Sequence, residues 1–111
     1  MRVVYVCSRF KGNVKKHKKW ATKFSNFVAE QGNIPITVHL FLDEAMGLSE
    51  DNGTEDRERL LKAGREIVLR CDEVWVYMPD GIMSYGMQGE VQIAEENKIP
   101  VKIFRQCKKD G

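Results

Sequence analysis

The 111-residue sequence lacks the features that mark several common classes of protein. Its three cysteines form no C-x-x-C pair and are odd in number, which argues against a disulfide framework or a zinc site and indicates a reducing compartment. No apolar run approaches the ~20 residues of a membrane span, and the short apolar start lacks the pattern of a signal peptide. A net charge of only +2 gives no reason to expect nucleic acid. We therefore expect a cytoplasmic protein without a membrane segment.

The glycine-rich signatures of classical nucleotide-binding loops are also missing. The turn at residues 8–13, Ser-Arg-Phe-Lys-Gly-Asn, has neither the G-x-G-x-x-G nor the G-x-x-x-x-G-K-[ST] spacing. It nevertheless lies between a predicted strand and a predicted helix, an arrangement in which backbone N–H groups can hold an anion. Gly12 suits a positive φ, and Asn13 is a fair N-cap for the helix that follows.

What the sequence does contain is the alternation of strands and helices typical of an α/β protein. With 42% hydrophobic and 31% charged residues, its composition is that of an ordinary globular protein, and its length predicts a single domain over residues 1–111. Apolar, β-rich segments predict four strands, and amphipathic segments predict three helices. The strands are expected at 2–7, 34–38, 73–77 and 99–104, and the helices at about 14–31, 54–70 and 86–97. Such short strand-helix-strand units form right-handed parallel crossovers, which predicts a flavodoxin-like, doubly wound parallel sheet of order 2-1-3-4.

Several local expectations accompany this architecture. Pro35 predicts an edge strand, and Thr54 is expected to cap the helix that follows it. Residues 41–54 show no clear period and are expected to form a loop of the kind used as a lid or partner surface. Lys98 is placed one turn after Ala94 on the face of the last helix, and Cys107 is expected to be exposed in a frayed tail.

The lysine-rich segment at residues 15–19 leaves three interpretations open. A cationic first turn opposes the helix dipole, so it is either a solvated charged face, a rim that attracts phosphate, or a nuclear-localisation tag. A nucleic-acid-binding module would predict a steep salt dependence of binding. We rank that module last among the function hypotheses, because no aromatic stacking pattern accompanies the lysines.

Candidate chemistry lies in the loop and helix after the third strand. Glu90 is predicted in the first helical turn, where the dipole would keep it ionised, and Gly86 lets a ligand approach closely. Ser84 adds a hydroxyl for a phosphate or sugar oxygen. An ionised carboxylate beside a sugar can attack the anomeric carbon, and the leaving base then needs a proton, from an acid of raised pKa or from Tyr5. His39, at the end of the second strand, is equally a structural residue or a ligand contact.

These residues resemble the nucleoside deoxyribosyltransferase superfamily, and especially its small members such as the deoxynucleoside monophosphate N-hydrolases and a related bacterial and phage family. The resemblance extends over nearly the whole chain. Its most specific part is the spacing Ser84-x-Gly86-Met-x-x-Glu90, followed by a helix and a strand that opens with Ile-Pro-Val. The matching segments are Tyr5–Gly12, His39, Cys71–Val76, Ser84–Glu90 and Ile99–Val101.

The resemblance implies roles for individual residues. Glu90 takes the place of the nucleophile, with Tyr5 near it and near the sugar. Lys11 is implied as a cationic phosphate contact, and Ser84 binds phosphate or sugar. The implied substrate-binding set is Ser8, Arg9, Lys11, Gly12, His39, Ser84, Gly86 and Met87.

The chain departs from the resemblance at two positions. Gly64 stands, by count, where the hydrolases carry an aspartate that serves the sugar hydroxyl and the leaving base; Asp43, Asp56 or Glu58 are candidates to replace it. Arg9 stands where they carry a small hydroxyl residue at the phosphate turn. Its planar fork would strengthen anion binding or block the pocket.

The leading function hypothesis is therefore cleavage or transfer at the N-glycosidic bond of a nucleoside or nucleotide by an N-glycosidase, a hydrolase or a deoxyribosyltransferase, without metal or organic cofactor. The alternative is non-catalytic binding, for sequestration or sensing, of a nucleotide-derived ligand. By resemblance we expect a homo-oligomer, a dimer or larger, and we do not expect nucleic acid or membrane partners.

Overall fold

The structure, a computed structural model, describes residues 1–49 and 53–107. Its four strands are β1 (Val3–Cys7), β2 (Ile34–Ile36), β3 (Glu73–Tyr77) and β4 (Val101–Phe104). They form one sheet of order β2-β1-β3-β4, in which every neighbouring pair is parallel. The predicted doubly wound parallel sheet and its strand order are confirmed. Pro35 lies on the edge strand β2, as predicted.

The described residues form four α-helices, one more than the sequence predicts. They are α1 (Val14–Glu30), α2 (Leu42–Met46), α3 (Thr54–Val68) and α4 (Tyr85–Glu96), and a 3-10 turn covers Val38–Leu40. The additional helix α2 lies in the predicted loop, of which residues 50–52 fall outside the described part of the chain. Leu42 is buried and Gly47 ends α2 in the left-handed conformation. A helix of five residues is too short to show a helical period, so the sequence pattern missed it.

Four other local expectations are corrected. The second strand ends at Ile36, because the chain then turns so that Val38 is buried in the 3-10 turn. Gly53, not Thr54, caps α3. Lys98 is exposed beyond the end of α4 with φ of 58°, so it adds nothing to the buried face of that helix. Cys107 is buried, because it packs against the aromatic side of the sheet.

The two faces of the sheet carry different side chains, since successive strand residues point to opposite sides. One face packs against α1 through residues that include four strand side chains and two helical ones: Val4, Val6, Trp75, Tyr77, Phe24 and Val28. The other packs against α3 and α4 through Tyr5, Cys7, Val74, Val76, Val68, Met87 and Ala94. The chain leaves the adjacent strands β1 and β3 toward opposite faces, α1 on one and α4 on the other. A ligand crevice is expected at this switch point, beyond the carboxyl ends of both strands.

Candidate active site

Two histidines hold the turn that follows β1. His39 Nε2 lies 3.0 Å from the Ser8 carbonyl oxygen, and His17 Nδ1 lies 3.0 Å from the Phe10 carbonyl oxygen. The Phe10 ring also stacks on His39, with the centroids 4.8 Å apart. Gly12 closes the turn with φ of 102°, as predicted. The turn is therefore held by one side chain of the helix that follows it and by one from a distant part of the sequence.

His39 has the structural role that the sequence left open, and its contact with a ligand stays a prediction. Burial lowers its pKa to about 4, although its hydrogen bond to Ser8 opposes the shift. The imidazole is therefore neutral near pH 7, and because a carbonyl oxygen only accepts, Nε2 carries the hydrogen. His39 fixes the turn and also lines the crevice described below.

Glu90 lies deeper in the fold than the sequence predicts. Helix α4 begins at Tyr85, so Glu90 is in its second turn, where the dipole at the helix end has little effect. Its side chain is buried, with 5% of the residue exposed, and the Tyr5 hydroxyl donates to Glu90 Oε2 at 2.5 Å. Tyr5 lies on β1, so its hydrogen bond to Glu90 joins this interior strand of the sheet to α4.

Burial also reverses the expected ionisation of Glu90. It raises the pKa of this carboxyl to about 7, while the hydrogen bonds from Tyr5 and Cys7 and the charge of Arg65 act in the opposite direction. Burial and the neighbouring Glu90 raise the pKa values of Tyr5 and of the Cys7 thiol well above their usual range. Both neighbours therefore stay protonated at neutral pH, and the Tyr5 hydroxyl donates to the Glu90 carboxyl.

Two glycines allow this close packing. A Cβ at Gly64 would lie 3.1 Å from Glu90 Oε2 and 3.3 Å from the Tyr5 hydroxyl. A Cβ at Gly89 would lie 2.6 Å from the guanidinium of Arg65, so that guanidinium rests on the bare backbone of α4. Gly64, the position identified above as lacking a carboxylate, therefore directly faces the Glu90–Tyr5 pair. Helix α3 contributes its backbone to the site here rather than a functional group.

A crevice of about 220 Å³ opens at the ends of β1 and β3. Seven of the residues predicted from the sequence line it: Ser8, Lys11, His39, Ser84, Gly86, Met87 and Glu90. A smaller cavity adjoins it, sharing the walls formed by Glu90, His39 and Leu61 and adding the Asp43 carboxyl. Glu90 therefore stands on the wall common to both spaces, and Tyr5 lies behind it.

Two serines in the crevice wall differ in what their hydroxyls do. Ser84 caps α4, accepting a hydrogen bond from the Met87 N–H at 3.4 Å. Ser8 is 1% exposed, and its hydroxyl has no hydrogen-bond partner among the described residues. A buried hydroxyl without a partner costs about 1–3 kcal/mol, so a ligand oxygen that contacts Ser8 would recover this energy.

Other candidates lie elsewhere. Arg9 does not line the crevice; it pairs with Asp80 at 3.2 Å and joins the turns after β1 and β3. Gly12 lines a neighbouring depression. Of the three carboxylates considered as replacements at position 64, Asp43 reaches a cavity wall, whereas Asp56 accepts from the Ser49 N–H. Glu58 is exposed on α3 and lines neither cavity.

Sequence reasoning missed four lining residues, namely Phe10, Arg57, Leu61 and Tyr85. Phe10 and Tyr85 are direct neighbours of predicted residues in the two turns. Arg57, Leu61 and Gly64 follow each other at helical spacings of four and three, so counting back from Gly64 along α3 would have found them. Within residues 1–49 and 53–107, no three His, Cys, Asp or Glu side chains lie close enough to share a metal ion.

Comparison with known proteins supports the fold. The chain is similar in structure to a 2-deoxyribosyltransferase from the psychrotolerant bacterium Bacillus psychrosaccharolyticus, with a TM-score of 0.69 and 18% identity over 92% of this chain and 71% of that one. At this identity the likeness shows a shared fold and no more. No match is found among the curated proteins. The family model described as "Domain of unknown function (DUF7768)" matches residues 2–104, so the chain belongs to the DUF7768 family.

Proposed function

We propose that this domain cleaves or transfers at the N-glycosidic bond of a nucleoside or nucleotide, with Glu90 as the nucleophile. The observation that carries the proposal is the position of the Glu90 carboxyl, on the wall common to two cavities and hydrogen-bonded by Tyr5. The fold shared with a 2-deoxyribosyltransferase supports the same chemistry. No step of it needs a metal or an organic cofactor.

In the first step, an oxygen of ionised Glu90 forms a bond to the anomeric carbon. The bond from that carbon to the base nitrogen breaks, and its electron pair leaves with the base. The base takes up a proton from water, and the Asp43 carboxyl on the adjoining cavity wall is our candidate to position that water. Water or a second base then forms a bond to the anomeric carbon, and the bond from that carbon to Glu90 breaks, which regenerates the carboxylate. The proton that this nucleophile loses neutralises the hydroxide left by the first step. Tyr5 donates to Oε2, which leaves Oε1 for the attack.

The ionisation of Glu90 sets the expected pH dependence. Attack requires the carboxylate, and the pKa of Glu90 is about 7. The ionised fraction, and with it kcat/KM, therefore rises as the pH increases through 7.

Three features of the crevice favour a phosphorylated substrate. The Ser8 hydroxyl has no partner among the described residues, and Lys11 lies on the same wall. The N-terminus of α4 also borders the crevice and has no acidic residue in its first turn. A helix N-terminus with a cation and a hydroxyl beside it is a favourable site for an anion. We therefore expect a nucleotide to bind more tightly than its nucleoside.

One observation favours the alternative, a non-catalytic binder of a nucleotide-derived ligand. Position 64 presents hydrogen rather than a carboxyl to the Glu90–Tyr5 pair, which leaves this side of Glu90 without a second acid. The crevice would then bind its ligand without turnover. This alternative and the leading proposal differ in what Glu90→Gln removes.

The deciding experiment incubates the protein with nucleosides, deoxynucleoside monophosphates and NAD-type dinucleotides and measures released base by chromatography. We expect release that Glu90→Gln abolishes while affinity is retained, because glutamine keeps the shape but cannot form the glycosyl intermediate. Glu95→Gln, an exposed change on the same helix, is the matched control. If no base is released but one compound raises the melting temperature, the leading proposal is wrong and the domain is a binder.

The homo-oligomer stays a prediction. A neighbouring subunit would complete each pocket, as the resemblance implies. Light scattering coupled to size-exclusion chromatography measures the mass, and a monomer that releases base would contradict the prediction.

A further inference from the structure

Four lysines of α1 share one face of the helix. Lys15, Lys18, Lys19 and Lys23 follow each other at spacings of three, one and four residues, with Thr22 and Asn26 continuing the same face. We call these four residues the lysine stripe. The buried side of α1 lies opposite, at Ala21, Phe24 and Val28. The run of lysines seen in the sequence is therefore an ordered polar surface, and Lys23 extends it.

The lysine stripe has no acidic residue beside it on its own helix, whose one carboxylate belongs to Glu30, the last residue of α1. The first acidic residue of the chain is Glu30, and α1 has none in its first turn. No stripe lysine forms an ion pair with a carboxylate of the described residues. Lysines four residues apart repel each other, and cations near a helix N-terminus oppose its dipole. The helix is thus destabilised in a way that a bound polyanion would reverse.

The stripe is connected to the crevice by two depressions in the surface. The first shares Phe10 and Lys11 with the crevice and includes Lys18. The second shares Lys18 with the first and continues along Lys19 and Lys23. Asp43 is the single acidic residue among the described residues that line these two depressions. A continuous, mainly cationic path therefore runs from the crevice along α1.

We propose that the lysine stripe and Lys11 bind the phosphate backbone of a single-stranded nucleic acid whose terminal nucleotide lies in the crevice. The placement of that terminal nucleotide rests on the proposed function, whereas binding along the stripe does not. From Lys15 to Lys23 the stripe spans ~12 Å of helix, or roughly three phosphates at the spacing of a stacked strand. This path extends beyond the reach of a single phosphate group.

The crevice end of the path offers a surface for a base. Tyr85 borders the crevice with 69% of the residue exposed, and an exposed aromatic ring of this kind is a platform on which bases stack. The neighbouring helix N-terminus and Lys11 are available to the first phosphate. A strand therefore finds a stacking contact at one end and backbone contacts along the rest, which distinguishes it from an anionic lipid surface.

The test measures fluorescence anisotropy of labelled oligothymidylates, from the dinucleotide to the octanucleotide, across a range of salt concentrations. We expect affinity to rise with length, by roughly tenfold or more in total, and to fall steeply with salt. Substituting Lys18, Lys19 and Lys23 together by Gln should weaken binding of the octanucleotide at least about tenfold. It should also reduce the salt slope by roughly 2, since each phosphate contact on a single strand contributes about 0.7.

The matched control substitutes Arg59, Lys62 and Lys98 by Gln, which removes the same number of positive charges from exposed positions elsewhere. Its octanucleotide affinity should stay within about twofold of the wild type. Equal losses in both variants, or affinity that does not depend on length, would overturn the proposal. Binding to anionic phospholipid vesicles but not to oligothymidylates would overturn it in favour of a membrane surface. Because Glu90→Gln leaves the stripe intact, length-dependent binding by that variant supports the proposal even where no base is released.

Discussion

The two faces of the sheet are covered by different kinds of side chain. On the α1 face, six aromatic rings pack together, and the Phe24 and Tyr77 rings stack with centroids 4.8 Å apart. On the α3 and α4 face, the carboxyl of Glu90 is buried with the hydroxyl of Tyr5. The rings of the aromatic face are Trp20, Phe24, Phe27, Trp75, Tyr77 and Phe104.

This difference shows how a small domain can keep a costly polar group in its interior. Burying aromatic area stabilises the fold through contacts that need no partner groups. Burying Glu90 destabilises its charged form, as its raised pKa shows. Aromatic packing and the Glu90–Tyr5 pair lie on opposite faces because neighbouring strand residues, such as Val4 and Tyr5, point to opposite sides. The carboxyl buried on the aromatic side, that of Glu73, is instead paired with two cations and accepts from the Trp75 indole.

The largest expected effect comes from breaking the aromatic face. Phe24 is fully buried, so Phe24→Ala should lower the free energy of unfolding by about 3–5 kcal/mol in urea denaturation. Phe41→Ala, at a position 43% exposed, is the control and should change it by less than about 1 kcal/mol. If Phe24→Ala does not fold, Phe24→Leu tests the same contribution of the aromatic ring. A loss at Phe41 equal to that at Phe24 would contradict the comparison.

The second effect is the pH dependence that Glu90 imposes on stability. Its pKa is 4.5 in the unfolded chain and about 7 in the fold, so the folded state binds the additional proton between these values. The stabilisation that comes from binding this proton is complete below pH 4.5 and is lost as the pH rises through 7. The free energy of unfolding should fall by about 3 kcal/mol over this range. Urea denaturation from pH 4.5 to 8 should show this decline in the wild type but not in Glu90→Gln. Parallel curves for the two proteins would show that Glu90 titrates normally.

Removing the Tyr5 hydroxyl should have an intermediate effect. Its hydrogen bond lowers the pKa of Glu90, so Tyr5→Phe should move the midpoint of the pH–activity profile upward and reduce turnover at pH 7. The lost partner of a buried carboxyl should also cost about 1–3 kcal/mol of stability. Tyr77→Phe removes a hydroxyl from the aromatic face and is the matched control. An equal shift of the midpoint in that variant would rule out a specific role for Tyr5.

The smallest effect should come from Arg65, which rests on Gly89 and acts on Glu90 through its charge. Arg65→Gln should raise the pKa of Glu90 and lower turnover at pH 7 by about twofold to fivefold, the range of a partly exposed charge pair. Lys62→Gln, an exposed change on the same helix, should leave the pH–rate profile unchanged. Identical profiles for the Arg65 variant and the wild type would contradict the role assigned to Arg65.

The sequence by itself determined the strand order, the bounds of β3, the cap at Asn13 and the two turns that carry Ser8 and Ser84. The strand order follows from the rule that short strand-helix-strand units form right-handed parallel crossovers. The other features follow from local signals, namely apolar runs, helical periodicity and turn residues, that act over a few neighbouring positions. Patterns that cover only neighbouring residues also explain where the predictions from the sequence were wrong. Helix α2 is too short to show a period, and Cys107 is buried by rings that lie far away in the sequence.

Only the tertiary structure decided the state of the site. The sequence pattern predicts a dipole-stabilised carboxylate at Glu90, yet β1 and α3 enclose this side chain through Tyr5, Cys7 and Gly64, and the resulting burial raises its pKa. Desolvation depends on every element that packs around a group, so no window of neighbouring residues contains it. The path from the crevice to the lysine stripe has the same origin, because it exists only where the turn after β1 meets the exposed face of α1.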